Sequence, residues 1–318
     1  MTFLRHSLRL LLATLRLAAA FARAKWHWPH RAMHHLGLHD PAALSAKETR
    51  RFRHYTYGTT YLAVLFCTRL GRRRTARERY LFSNLAALAC FFDDLVDAFR
   101  GQNPADWTLL ETPEAYGRAA DPRGLSLHFL KNICDKLPPE RLPQFRELMQ
   151  RVFRVEADGQ QRGIPNLLKK SDLEKITAEK GGCSVLLFRC LLAEPVPENE
   201  QRFWREFGLL IQLCDDIFDL WHDRQAGTAT LATFFAEQND VRGLTQTFEQ
   251  QAQVVASSAG RVRGEIHFLL AITRVCLRHY AELLGKHGSL PLDDRSLMVV
   301  DMERWRNRWR AAVELLRG

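Results

Sequence analysis

Phe91-Phe92-Asp93-Asp94-Leu95-Val96-Asp97 and Leu213-Cys214-Asp215-Asp216-Ile217-Phe218-Asp219 repeat one pattern, Asp-Asp-x-x-Asp, inside two apolar runs. On an α-helix Asp93 and Asp97 are i, i+4 neighbours with Asp94 to the side, and Asp215 and Asp219 repeat that spacing. Asp223 extends the second stripe by another turn. Like charges at this spacing repel, and carboxylates among Phe, Leu, Val and Ile are costly to bury without a counter-charge. Oxygen ligands with no Cys or His beside them select a hard cation, and Mg²⁺ in particular uses one or two carboxylates together with water and substrate phosphate. The pair of motifs therefore predicts helices that carry Mg²⁺ sites, with Asp93, Asp94, Asp97, Asp215, Asp216, Asp219 and Asp223 as ligands.

Helical periodicity extends outward from both motifs over nearly the whole chain, and no Asn-Gly or Asp-Gly hairpin lies between alternating segments. The pattern predicts helices at 3–24, 42–53, 57–70, 75–99, 112–118, 124–136, 140–159, 171–193, 198–223, 229–236, 240–258, 261–285 and 293–316. Turn-forming clusters such as Gly101-Gln102-Asn103-Pro104, Pro138-Pro139 and Glu194-Pro195-Val196-Pro197 separate them. None is long enough for a flexible linker, so one all-α domain over 41–318 is expected. It follows a basic amphipathic segment at 1–40.

That segment carries Arg5, Arg9, Arg16, Arg23, Lys25 and Arg31, and it has no acid before Asp40. Arginines within the Leu-rich stretch argue against a spanning helix. Three options remain for it: packing on the body of the protein, contact with an anionic membrane surface, or a cleaved presequence. The net charge of +10 favours anionic partners. The run Arg69, Arg72, Arg73, Arg74, Arg77 and Arg79 lacks the interleaved aromatics of a nucleic-acid patch, and no nucleic-acid partner is expected. It is either a solvated helix start or a contribution to phosphate binding, with Arg77 or Arg79 as the candidates. The histidines from His27 to His39 have no Cys among them and no carboxylate before Asp40, and they read as surface or core residues. Seven cysteines without a Cys-x-x-Cys pair indicate buried, reduced thiols and a cytoplasmic setting, with the membrane surface as a peripheral option.

The two motifs resemble the aspartate-rich motifs of class I isoprenoid synthases, which include trans-prenyl diphosphate synthases, squalene-type synthases and class I terpene synthases. The stretch Phe207-Gly208-Leu209-Leu210-Ile211-Gln212-Leu213-Cys214-Asp215-Asp216 is similar to the prenyltransferase helix that carries the second motif. Asp158-Gly159-Gln160-Gln161 resembles the family's Gly-Gln element, and Ile176 to Leu187, with Lys180, resembles its Lys-Thr helix. The resemblance covers residues 75–235 in the family's order. It implies a helical bundle with a central cavity for the isoprenoid chain and the Asp motifs at its mouth. It further implies three Mg²⁺ ions with bound diphosphate, Lys180 on the diphosphate, and Gln212, Gln160 and Phe92 along the cavity. Arg304 and Arg308, at i, i+4, and Arg79 are further candidates for the diphosphate. Dimers are common among such enzymes, so a homodimer is a further expectation.

The departures separate two activities. Elongating prenyltransferases carry a Gly-Lys-Arg-x-Arg-Pro element well before the first motif and an Arg pair soon after it. Here Gly71-Arg72-Arg73-Arg74 and Ala98-Phe99-Arg100-Gly101 stand instead, and Gly227-Thr228 replaces the usual Gly-Lys after the second motif. Those basic residues hold the second, nucleophilic substrate. Their loss favours a class I terpene synthase that ionises a linear prenyl diphosphate. The alternative is a prenyltransferase condensing two isoprenoid units, of the polyprenyl diphosphate synthase or squalene/phytoene synthase kind.

Overall fold

The computed structural model describes residues 11–22, 46–98, 122–161 and 168–298; side chains at 46–51, 53, 54, 92–98, 122–125 and 157–161 lie outside that description. Among the described residues the chain is all-helical, with no strand. The helices are α1 (11–22), α2 (Ala46–Leu70), α3 (Ala76–Ala98), α4 (Pro122–Lys136), α5 (Leu142–Gln161) and α6 (Lys170–Cys190). They continue with α7 (Glu198–Phe218), α8 (Leu220–Ala226), α9 (Leu231–Glu237), α10 (Val241–Ser258) and α11 (Arg263–His287). Short 3₁₀ turns lie at Pro139–Arg141, Gly260–Val262 and Arg295–Leu297.

The all-α expectation holds, and three boundaries differ from it. The predicted helices 42–53 and 57–70 form one helix, α2. Thr56 Oγ1 donates to the Phe52 carbonyl at 2.9 Å and Thr59 Oγ1 to the Thr56 carbonyl at 3.1 Å, so these hydroxyls are satisfied without breaking the helix. The predicted helix 198–223 is interrupted at Asp219. The described start of 293–316 is a turn and a 3₁₀ turn rather than an α-helix. The predicted helix 112–118 and the histidines 27–39 lie outside the described residues.

The chain divides into two compact units. One comprises Met1–Thr14, Asp158–Gly182 and Asn199–Gly318; the other comprises Leu15–Ala157 and Cys183–Glu198.

In the second of these, α3 packs on α2 and α4. Its first turn is closed by a capping box: Glu78 N–H donates to Thr75 Oγ1 at 3.2 Å and Thr75 N–H to Glu78 Oε2 at 2.7 Å. Leu81, Phe82, Leu85, Ala86, Leu88, Cys90 and Phe91 are then buried in succession. Phe91 stacks on Phe129 of α4 at 6.1 Å, and Phe82 meets Phe66 and Phe188 at 6.2 and 5.9 Å. Arg16 of α1 donates to Thr68 Oγ1 at 3.0 Å, and Leu17 is buried. Leu15, on the other side of α1, stays about half exposed, at 51%.

The other unit is built around α7. Trp204, Phe207, Leu210, Leu213, Cys214 and Ile217 are buried along its length, with Phe248 of α10 and Tyr280 of α11 also in this unit's core. Thr230 and Thr233 form a capping box at the start of α9, and Asp240 caps α10 through Gly243 N–H at 2.8 Å. Among the described residues no helix is long and apolar enough to cross a membrane. All seven cysteines are free, six of them buried.

Candidate functional site

The second acidic motif occupies the last turn of α7. Leu213, Cys214 and Ile217 face the core, which leaves Asp215 exposed, Asp219 half-buried, and Asp223 half-buried one turn further on in α8. Asp216 is buried, and the Gln212 side chain is bound to it: Nε2 donates to Asp216 Oδ1 at 2.9 Å and lies 3.5 Å from Asp215 Oδ2. Gln212 thus orients the motif's own carboxylates.

These carboxylates carry an electrostatic burden. Burial, followed by repulsion from Asp215 and Asp216, pushes the Asp219 carboxyl up to about 7. Burial, then Asp216, Asp219 and Asp215, pushes Asp223 up to about 8. Lys180 of α6 pulls both in the opposite direction. It is the cation that resemblance assigns to the diphosphate, and the fold brings it within electrostatic range of the motif.

Its placement comes from the crossing of α6 and α7. A Cβ on Gly181 would collide with the Gly208 carbonyl and stand 2.8 Å from Gln212 Cβ. A Cβ on Gly208 would collide with Gly181 and stand 2.7 Å from Gly182 Cα. Only glycine lets the two backbones meet there. The Gly181-Gly182 pair inside a long helical run was the available sequence signal for this crossing.

Behind the motif, α11 contacts α7 twice. Thr273 Oγ1 donates to Cys214 Sγ at 3.2 Å, and Tyr280 Oη donates to the Ile217 carbonyl at 2.5 Å. Cys214 is inert, since burial pushes its thiol up to about 12. No pattern in the sequence marks Tyr280.

The first motif lies in the last turns of α3, and the side chains of Phe92, Asp93, Asp94 and Asp97 lie outside the described residues. So does the side chain of Gln160 in α5, and so do Arg304 and Arg308 altogether. Arg79 sits exposed in the first turn of α3, roughly 21 Å along the axis from Asp93, and its Nη1 donates to the Arg74 carbonyl at 2.9 Å. The helix holds Arg79 apart from the first motif rather than beside it. The rest of the basic run is also engaged. Arg77 donates to the Lys136 carbonyl at 2.5 Å, Arg74 lies over Phe82 at 5.6 Å, and Arg72 is held between Glu78 and Glu194.

Among the described residues, no three His, Cys, Asp or Glu side chains converge into a ready-made cation cage. The chemistry of the second motif nevertheless suits a hard cation: oxygen donors only, crowded, with Asp219 and Asp223 shifted toward the neutral form by burial first and by their acidic neighbours second. An open depression lined by Arg224 and the 290–295 segment contains none of the Asp residues of either motif. No family model, curated protein or solved structure matches the chain.

Proposed function

We propose that the chain is a Mg²⁺-dependent class I terpene synthase, which ionises a linear prenyl diphosphate, releases pyrophosphate and converts the carbocation to a terpene. One observation carries this reading: four carboxylates on consecutive turns of α7 and α8, two of them raised to about 7 and 8 by burial and mutual repulsion. Such a stripe is unfavourable as it stands and becomes favourable with a multivalent cation. Asp215, Asp219 and Asp223 would hold Mg²⁺, with Asp216 fixed beside them by Gln212. When bound, the metal would supply Lewis-acid neutralisation of the charge that develops on the leaving diphosphate.

The chain's own residues supply the rest. Lys180 adds a compact positive charge suited to a diphosphate oxygen. The Gln212 amide keeps the Asp216 carboxylate pointed in one direction. Leu213, Cys214 and Ile217 close the core side of the motif against water. By resemblance, Asp93, Asp94 and Asp97 would form a second set of ligands.

The test is incubation of the purified protein with farnesyl or geranylgeranyl diphosphate alone, with Mg²⁺. The expected result is pyrophosphate release together with a hydrocarbon or alcohol product. Turnover only after isopentenyl diphosphate or another acceptor is added would overturn it in favour of a condensing prenyltransferase. No pyrophosphate under either condition would overturn both.

A further inference from the structure

The helix carrying the second motif is broken at one residue. Asp219 has φ −96° and ψ 9°, α7 ends at Phe218, and α8 begins at Leu220. The ladder is intact on either side: Asp219 N–H donates to the Asp215 carbonyl at 2.9 Å and Asp223 N–H to the Asp219 carbonyl at 2.8 Å. Between them no helical turn spans Asp219, so the bonds across it from Leu220, Trp221 and His222 are not formed, among them the one to the Ile217 carbonyl. That carbonyl instead accepts the Tyr280 hydroxyl at 2.5 Å.

Breaks in helices come from Pro, from Gly or Ser pairs, from π-bulges, or from a side chain or water inserted into the ladder. Residues 213–223 contain neither Pro, Gly nor Ser. No π-helical turn occurs there, and the fully buried Tyr280, bonded to the Ile217 carbonyl, is the side chain placed to hold the ladder open. An unbroken α-helix would place Asp223 on the continuation of the Asp215–Asp219 row. A break at Asp219 instead changes the aim of Asp219 and Asp223 relative to Asp215 and Asp216.

We propose that Tyr280 is a positioning residue for the carboxylate site, its hydroxyl holding the helix open at Asp219 and thereby setting the mutual aim of the four acids. This rests on the reading of those acids as divalent-cation ligands, although the break itself can be tested without it. Tyr280 touches neither substrate nor metal in this account and acts only through the Ile217 carbonyl.

The experiment has two arms. In cation-free wild-type protein, residue-resolved amide exchange should show Trp221 exchanging at least about tenfold faster than Leu213 and Ile217 inside α7. In Tyr280→Phe, which removes one oxygen and keeps the ring, the ladder should close and the Trp221 amide should slow toward its helical neighbours. The second arm titrates Mn²⁺, in the presence of inorganic pyrophosphate, by electron paramagnetic resonance. Tyr280→Phe should bind about fivefold more weakly than wild type, and Asp215→Ala should lose the signal of bound ion. Equal protection at Trp221, Leu213 and Ile217 in wild type would overturn the inference, as would Tyr280→Phe binding Mn²⁺ as tightly as wild type. Absence of Mn²⁺ binding by wild type would overturn the site reading instead, and the exchange arm would then decide the role of Tyr280.

Discussion

Gly181 of α6 and Gly208 of α7 cross with no side chain between them, each backbone occupying the space that the other's Cβ would need. The contact is backbone against backbone, so neither partner can yield by changing a rotamer. Gly181→Ala and Gly208→Ala should each cost about 3 kcal/mol of stability, at the upper end for overpacking. Gly58, with nothing within 4 Å of its Cβ position and in the middle of α2, should instead gain a few tenths to about 1 kcal/mol on substitution by Ala. Urea melts of the three variants measure this contrast.

A second prediction concerns the turn between α2 and α3. Arg72 binds Glu78 Oε1 at 2.5 Å and Oε2 at 2.8 Å, and its Nε binds Glu194 Oε1 at 2.6 Å. Glu78 also accepts the N–H groups of Ala193 at 3.0 Å and Thr75 at 2.7 Å. Burial pushes the Glu78 carboxyl up, but Arg72 and those two N–H groups outweigh it and hold the group at about 2. Glu78→Ala should cost about 3 kcal/mol, because it leaves a guanidinium and two amides short of partners. Glu194, 42% exposed, should cost under about 1 kcal/mol as Glu194→Ala. Since the folded value of Glu78 is depressed, its contribution is present above the ordinary 4.5 and lost as pH falls toward 2. Acid titration of wild type against Glu78→Gln isolates that loss.

The acids of the second motif predict the opposite sign. Asp219 and Asp223 are raised from 3.8 to about 7 and about 8, so the folded cation-free protein holds protons that the unfolded chain has released. The stability this contributes is present below about pH 4 and is lost as pH rises through 7 and 8. Denaturant melts at pH 5 and pH 8.5 should show wild type losing several kcal/mol more over that interval than the Asp219→Asn, Asp223→Asn double variant. Mg²⁺ binding near pH 7 should release about one proton, read by calorimetry in two buffers of different ionisation enthalpy. Binding with no buffer dependence would remove these two groups from the ligand set.

Ligand removal tests both motifs together. Asp93→Ala and Asp215→Ala should each lower pyrophosphate release from a prenyl diphosphate by about a hundredfold or more, with an unchanged helical circular dichroism spectrum. Lys180→Met should weaken diphosphate binding and raise KM more than it lowers kcat. Full activity in both Asp variants would sink the metal-site assignment.

Much of the fold was legible because helix formation leaves a local trace. The 3.6-residue spacing of apolar residues identifies α3, α7 and α11, and Pro138-Pro139 marks the boundary before α5. The embedding of the second motif among Leu213 and Ile217, both buried, also followed from spacing. The interruption at Asp219 did not, because its cause lies 63 residues away, in the hydroxyl of Tyr280. Nor did the destination of Arg72, whose partner Glu194 is 122 residues distant, or the meeting of Gly181 with Gly208. Backbone periodicity is a property of neighbours along the chain, and it decides which residues share a helix face. Which carbonyl a distant side chain captures, and how strongly carboxylates raise one another, depend on distances and burial that exist only once the helices have packed.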